Sequence, residues 1–413
     1  MVSYFTPFHK STIEFIQRCY ASLLAQDNPD WEWVIVRNGE GIDTDLSFLD
    51  ADVRVRFFYH SGKGNIGGLK KFAVSKCVSE IIAELDYDDA LTPNCTDKLI
   101  EAFATGCDFA YSDCYECKAD GTTFAPYGAY YGWRYKTEED GKIVTLAHDP
   151  SPASLSYIWY APNHIRAWKK EFYDKIGGHD STLEVADDFD ICCRTYIFGT
   201  MVHINEPLYY YYHTGDNTSG QTASDNRNAK IQELTHALHD KYIQDICIRW
   251  CRLNNYSALD LGGRFNCPEG FTSVDLHDAE VVMDLQQPWD KFSDNSVGVI
   301  RASHLLEHLS DTIHFMNEAY RVLVPGGFLL IEVPSTTGSG AFSDPTHVKF
   351  FNKRSFEYYT NQSISQYIQP QYRGRFQKNR INEYFWKNSD VAVIQCHMIA
   401  LKDGYHPIGE KLM

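Results

Sequence analysis

The chain has no apolar run approaching the roughly 20 residues that cross a bilayer, and its first ten residues lack the charged start and long apolar core of a signal peptide. Both absences predict a cytoplasmic protein with no membrane span. Basic residues are also scarce. Lys and Arg number 38 against 55 Asp and Glu, a formal net charge of -17, which speaks against nucleic acid as a partner because phosphate backbones need a basic surface. Any anionic small substrate must therefore be held by a metal or a local cationic pocket. There is no internal repeat and no low-complexity tract. Twelve cysteines in 413 residues do not form a disulfide scaffold. Cys114 and Cys117 form a lone C-x-x-C with no second pair at zinc spacing, which reads as a buried pair in a hairpin.

What is present is ordinary globular material, 44% hydrophobic and 23% charged, long enough for two or three domains. The first 110 or so residues alternate strand and helix. Strands are predicted at Val2–Thr6, Trp31–Val36, Val53–Tyr59 and Ile81–Leu85. Ser11-Thr12-Ile13-Glu14 reads as a capping box opening a helix, and a Gly-rich turn, Gly62–Gly68, leads into another. This alternation predicts a mostly parallel sheet that binds ligands at the carboxyl ends of its strands. The stretch from Tyr111 to about His164 reads as irregular, as binding loops do. A helical pattern over 223–254, with Leu234, Leu238 and Ile246 on its apolar face, separates a domain at 1–222 from a second α/β unit at 255–413.

Two acidic clusters stand out. Asp86-Tyr87-Asp88-Asp89 follows an apolar strand, and crowded carboxylates need compensation that a hard divalent cation bridging to a diphosphate would give. A solvated acidic turn is the plainer alternative. In Glu184-Val185-Ala186-Asp187-Asp188-Phe189-Asp190, Asp187 or Asp188 could serve as a general base, or the acids could simply face a helix dipole.

Together with Thr6-Pro7, Ser22-Leu23-Leu24-Ala25-Gln26, Trp31-Glu32, Ile176-Gly177-Gly178-His179-Asp180 and Asn217-Thr218-Ser219, these clusters resemble family 2 glycosyltransferases of the GT-A-type fold over about residues 1–220. The resemblance implies inverting transfer from a nucleotide-sugar, UDP-linked or GDP-linked, to a glycan or glycoconjugate acceptor, with Mn2+ or Mg2+. It implies Thr6 and Pro7 at the nucleotide, and Asp86 and Asp88 of the DXD motif at the ribose and the metal-diphosphate. Asp188 matches the catalytic base, with Asp187 beside it. Lys70 falls where an Arg usually faces the nucleotide, and His213 where some relatives supply a metal or phosphate ligand. The acid that usually reads uracil is here Asn38.

In the second unit, Asp260-Leu261-Gly262-Gly263 makes a tight turn after a strand, and Asp275 ends the next strand where it can hold a ribose diol. With Met283-Asp284-Leu285, Ala302-Ser303-His304-Leu305-Leu306-Glu307-His308, Arg321-Val322-Leu323-Val324-Pro325-Gly326-Gly327 and Asp344-Pro345-Thr346-His347, residues 256–360 resemble class I S-adenosylmethionine-dependent methyltransferases. That resemblance implies a Rossmann-like domain. Asp260, Gly262 and Gly263 would line the methionine side, with Asp275 at the ribose. Asp284 and Leu285 would flank the adenine, Ser303 and His304 would face the reactive end, and His347 is a candidate base. The usual second glycine is Arg264, which could fill the cofactor's space or point outward. The expected function is a bifunctional enzyme of polysaccharide biosynthesis that transfers a sugar and O-methylates one. The alternative is a glycosyltransferase whose second domain serves only binding or assembly.

Overall fold

The computed structural model describes residues 1–8, 13–38, 45–60, 65–128, 132–157, 161–214 and 225–405. Ser11 and Thr12, Gly39 and Glu40, Gly62, Asn217-Thr218-Ser219 and the first residues of the 223–254 helix pattern lie outside them. Two compact units divide the chain within its longest helix, between Tyr242 and Ile243, and Ser151–Tyr157 counts with the second unit.

The first unit is built on a mixed sheet. Strands β1 (Val2–Phe8), β2 (Trp31–Asn38), β3 (Val55–His60) and β4 (Ile81–Glu84) run parallel in the order β3-β2-β1-β4. The short β5 (Ala90–Leu91) follows the Asp86–Asp89 turn. β6 (Phe109–Lys118) carries a side hairpin, β7 (Arg134–Thr137) and β8 (Ile143–Leu146). β9 (Arg166–Lys169) lies antiparallel between β4 and β6, and β10 (Met201–His213) lies between β6 and β5. Helices α1 (Ile13–Leu24), α2 (Ile66–Lys76) and α3 (Cys95–Ala104) alternate with the strands as the sequence predicts.

Gly67 and Gly68 fall inside α2. A Cβ on Gly67 would lie 2.3 Å from the Asp180 carbonyl oxygen, so the glycine lets α2 close onto the segment before Asp187. The irregular reading of 111–164 is corrected by β6, whose ten residues are buried but for the last. Cys114 and Cys117 sit on this central strand. Three residues apart they point to opposite faces, so they cannot bond to each other, and all twelve cysteines are free thiols.

The remaining helices of this unit are α5 (Lys170–Lys175) and α6 (Asp187–Phe198); α4 (Pro152–Tyr157) packs within the second unit. Helix α7 (Asp225–Asn254) serves both units. Tyr242 donates to Asp190 in the first (2.7 Å), while Ile243, Cys247 and Cys251 join the core of the second.

The second sheet has the order β13-β12-β11-β14-β15-β17-β16. Its members are β11 (Ser257–Leu261), β12 (Thr272–Asp275), β13 (Val281–Val282), β14 (Val297–Ser303), β15 (Leu323–Pro334), β16 (Phe376–Phe385) and β17 (Ala392–Ala400). The first five are parallel, and β17 inserts antiparallel between β15 and β16. The strand order reverses between β11 and β14, which opens a crevice at their carboxyl ends. Among the described residues no helix is long and apolar enough to cross a membrane.

Candidate active sites

In the first unit, strand β4 delivers Glu84 into the interior, 2% exposed, where four cationic or basic groups meet it. Oε1 lies 3.0 Å from His179 Nε2 and 3.1 Å from Lys70 Nζ. Oε2 lies 3.5 Å from Arg166 Nη1 and 3.7 Å from His164 Nε2. Burial alone would raise the Glu84 carboxyl, but Lys70, His179 and Arg166 hold it well below the usual carboxylate range. Burial alone would likewise discharge Lys70, yet Asp187 and Glu84 keep it well above its ordinary value. Burial and Arg166 push His164 down to about 3, so it is neutral.

Helix α6 then brings its first two residues to the same cluster. Asp187 is buried, with Oδ2 3.4 Å from Lys70 Nζ. Asp188 Oδ2 lies 3.6 Å from Arg166 Nη1, with about a third of the side chain open to solvent. Burial raises the Asp188 carboxyl, Arg166 opposes the rise and Asp187 adds to it. A carboxylate raised toward neutrality, fixed by a guanidinium and reachable from outside has the properties a general base needs.

The Asp86–Asp89 turn lies next to this cluster. Burial, opposed by Lys70 and reinforced by Asp88, pushes Asp86 up to about 7. Asp88 Oδ2 accepts from Thr214 Oγ1 at 3.3 Å, and its carbonyl accepts from Arg18, whose guanidinium lies 3.4 Å over the Tyr212 ring. Asp89 is structural: it accepts from Tyr209 Oη (2.9 Å) and the Tyr212 amide (2.7 Å), tying the turn to β10.

Thr6 is fully buried, its hydroxyl donating to the Leu85 carbonyl and accepting from Trp33 Nε1 at 2.7 Å, so it locks strands together and offers no side chain to a nucleotide. Pro7, on the opposite face by strand alternation, is half-buried. His213 is held by Glu116, Nε2 to Oε2 at 2.7 Å. Among the described residues it forms no three-donor cluster with Asp86 and Asp88. Asn38 sits half-buried at the end of β2 beside His60.

Glu84, Arg166 and His179 escaped the sequence reading. The signal for Glu84 was a lone acid inside Ile81-Ile82-Ala83-Glu84-Leu85, which a buried strand tolerates only with partners.

In the second unit, Gly262 adopts φ +76°, which only glycine takes freely. A Cβ on Gly263 would lie 2.3 Å from Asp260 Oδ2. Asp260 itself is fully buried. Oδ1 pairs with Arg301 Nη1 at 2.8 Å, while Oδ2 is a buried oxygen with no hydrogen-bond partner beside the turn. Arg264 does not occupy this space. Its side chain is about a third exposed (33%), pairs with Asp278 and lies over its neighbour Phe265. Asp275 ends β12 half-buried and caps the Leu276 amide (2.6 Å). Asp284 turns the chain through the Gln286 amide, and Leu285 is core.

At the end of β14, Ser303 donates to Glu332 at 3.4 Å. His304 adopts φ +52° with its ring between two glutamates, Nδ1 3.3 Å from Glu307 and Nε2 3.3 Å from Glu332. Glu307 and Glu332 hold His304 up to about 9, so it is a cation at neutral pH and not a base. His347 Nδ1 lies 2.9 Å from the Ala341 carbonyl. A carbonyl can only accept, so the proton is on Nδ1 and Nε2 carries the lone pair.

Comparison with known proteins agrees with both sheets. Residues 3–158 match the family described as Glycosyl transferase family 2, and residues 269–331 match the family described as Methyltransferase domain. The Asp260–Gly263 turn lies just ahead of the second match. Among curated proteins the chain is similar to the O-antigen biosynthesis protein RfbC of Myxococcus xanthus, 24% identical over 244 residues, 57% of this chain and 17% of that one. It is also similar to chondroitin synthase of Escherichia coli and hyaluronan synthase of Pasteurella multocida. Each is 26% identical over 225 residues, 53% of this chain and 30% and 21% of theirs. The chain thus spans less than a third of the length of these relatives. Among solved structures, S. aureus TarS 1-349 in complex with UDP-GlcNAc aligns with TM-score 0.43 and 12% identity over 61% of this chain and 72% of that one. The chain carries a family 2 glycosyltransferase domain followed by a methyltransferase domain.

Proposed function

We propose that the first unit transfers a sugar, with inversion, from a nucleotide-sugar to a glycan hydroxyl, and that the second methylates a sugar hydroxyl using S-adenosylmethionine. The observation that carries the first half is Asp188 at the start of α6, fixed by buried Arg166 and next to Lys70. The acceptor hydroxyl attacks the anomeric carbon from the face opposite the diphosphate while Asp188 takes its proton. Asp86 and Asp88 are a hard-oxygen pair whose mutual repulsion fits Mn2+ or Mg2+. Held there, the cation supplies charge neutralisation for the departing diphosphate. Lys70 stays charged to favour the same group. The likeness to proteins named for O-antigen, chondroitin and hyaluronan supports a nucleotide-sugar donor and a polysaccharide acceptor.

For the second unit, the orphaned Asp260 oxygen, the side-chain-free turn at Gly262 and Gly263, and the outward Arg264 fit S-adenosylmethionine, which supplies the methyl group when bound. Asp275 would hold the ribose and Asp284 the adenine side. The cationic His304, clamped by two glutamates, orients the reactive end. The outward Arg264 favours an active domain over one kept for assembly. The test is product analysis by mass spectrometry and NMR after incubation with UDP- and GDP-sugars, a glycan acceptor and labelled S-adenosylmethionine. An inverted glycosidic linkage and a labelled methyl ether are expected. Retention at the anomeric carbon, or no cofactor binding by calorimetry, would overturn the respective half.

A further inference from the structure

Beyond His304, the loop holding His347 folds back over the one-turn helix Leu306–His308, through Val348 and Lys349 amides donating to the Glu307 carbonyl. This gathers one donor atom each from Glu307, His308 and His347 within 4.8 Å of one another. The Glu307 side chain is 2% exposed, and its Oε2 has no hydrogen-bond partner. Both imidazoles are locked with the lone pair on Nε2. For His347 the Ala341 carbonyl fixes this, as above. For His308, Nδ1 lies 3.0 Å from Thr346 Oγ1, and that hydroxyl gives its single proton to Asp344 Oδ1 at 2.6 Å. Thr346 must therefore accept from His308 Nδ1–H. Anchoring a ring's second nitrogen on a carbonyl or a carboxylate-backed group is how proteins orient metal-binding histidines. The rings meet edge to face with centroids 4.9 Å apart. Asp344 Oδ2, 4.0 Å from His347 Nε2, adds a further negative group at the rim.

We propose that Glu307, His308 and His347 bind a divalent first-row transition cation such as Zn2+, Mn2+ or Co2+. Two imidazoles and one carboxylate suit these ions better than Mg2+ or Ca2+. Donors around such an ion stand about 3–4 Å apart at metal–ligand distances near 2.1 Å, so small side-chain rotations close the site. Three protein ligands leave open positions for water or a sugar hydroxyl. The His347 lone pair is then spent on the cation and not on a hydroxyl proton. Binding does not depend on the methyl-transfer reading, and its test omits cofactor and acceptor.

The tag-free full chain, stripped with chelator, is crystallised with Co2+ or Zn2+ and mapped by anomalous scattering. A peak bonded to Glu307, His308 and His347 is expected, and its absence there, with or without peaks elsewhere, overturns the proposal. In solution, Co2+ titration should show affinity falling at least 100-fold in His308→Ala/His347→Ala. It should fall about 10–100-fold in Thr346→Val, which releases His308 without touching the ion. Unchanged affinity in both variants also overturns it.

Discussion

Replacing Glu84 by Gln removes the one anion that four groups share while keeping its volume. Breaking a buried ion pair from one side costs about 3–5 kcal/mol, because the partner charge is left in a low-dielectric interior. Here Lys70 retains Asp187 at 3.4 Å and Arg166 retains Asp188 at 3.6 Å, which sets the expected cost at the lower end, about 3 kcal/mol. For a domain of this size that is a fall in melting temperature of roughly 6–12 °C. Calorimetry of the full chain should show this fall in the first unit's transition while the second unit's stays in place. The same substitution removes one of the charges that raise Asp188, so the acid limb of the kcat/KM profile should move to lower pH. A melting temperature within 2 °C of the native value would refute the reasoning, since it would mean that the cluster is wet enough for solvent to replace a carboxylate.

Asp188→Asn should keep nucleotide binding and lose roughly 10²–10⁴-fold in transfer rate, the scale of general-base loss; steady-state kinetics with calorimetric binding checks it. Asp275→Ala should abolish S-adenosylmethionine binding in calorimetry and leave sugar transfer intact, because the two sites belong to different units. His203 offers a pH signature. Burial alone would lower it, but Asp113 (2.9 Å) and Asp149 (3.4 Å) hold it up to about 9. Its contribution is therefore full below about pH 6.5 and is lost as pH rises through about 9. Denaturant titrations at pH 6 and 10 should show that slope, flattened in His203→Gln.

Parallel strands buried on both faces carry continuous apolar runs, which is why β1, β2 and β4 are legible within a few residues of their ends. Strand β6 could not, because Ser112, Asp113 and Glu116 interrupt its run. Each is paired across the sheet or to a distant loop, Asp113 with His203 and the Ala147 amide, Glu116 with His213, and those partners are invisible along the chain. Strand β17, Ala392–Ala400, has an apolar run as clear as β1, but its antiparallel insertion beside β15 is a topological fact that no local pattern carries. Period-two alternation turns Thr6 and Pro7 to opposite faces, which a motif written as a string does not show. The acids Asp86, Asp88 and Asp188 were legible from their crowding, whereas Arg166 and His179, which make that crowding tolerable, come from later elements folded back onto β4.

A chain of net charge -17 handles anionic ligands through local arrangement and not through its overall field. In the first unit two permanent cations, Lys70 and Arg166, face four carboxylates, Glu84, Asp86, Asp187 and Asp188. The proton retained by Asp86 up to about pH 7 marks what remains uncompensated. In the second unit His304 faces Glu307 and Glu332 while Arg301 pairs with Asp260, and buried carboxylate oxygens of Glu307 and Asp260 are left without a hydrogen-bond partner. Both units thus carry more carboxylates than cations at the carboxyl edge of their sheets, where α/β folds bind their ligands. A fully neutralised edge would be more stable empty, but it would give a cation no electrostatic advantage over water. The shortfall favours a positive charge at each edge, which on the reading proposed above would be a metal ion in the first unit and a cation in the second.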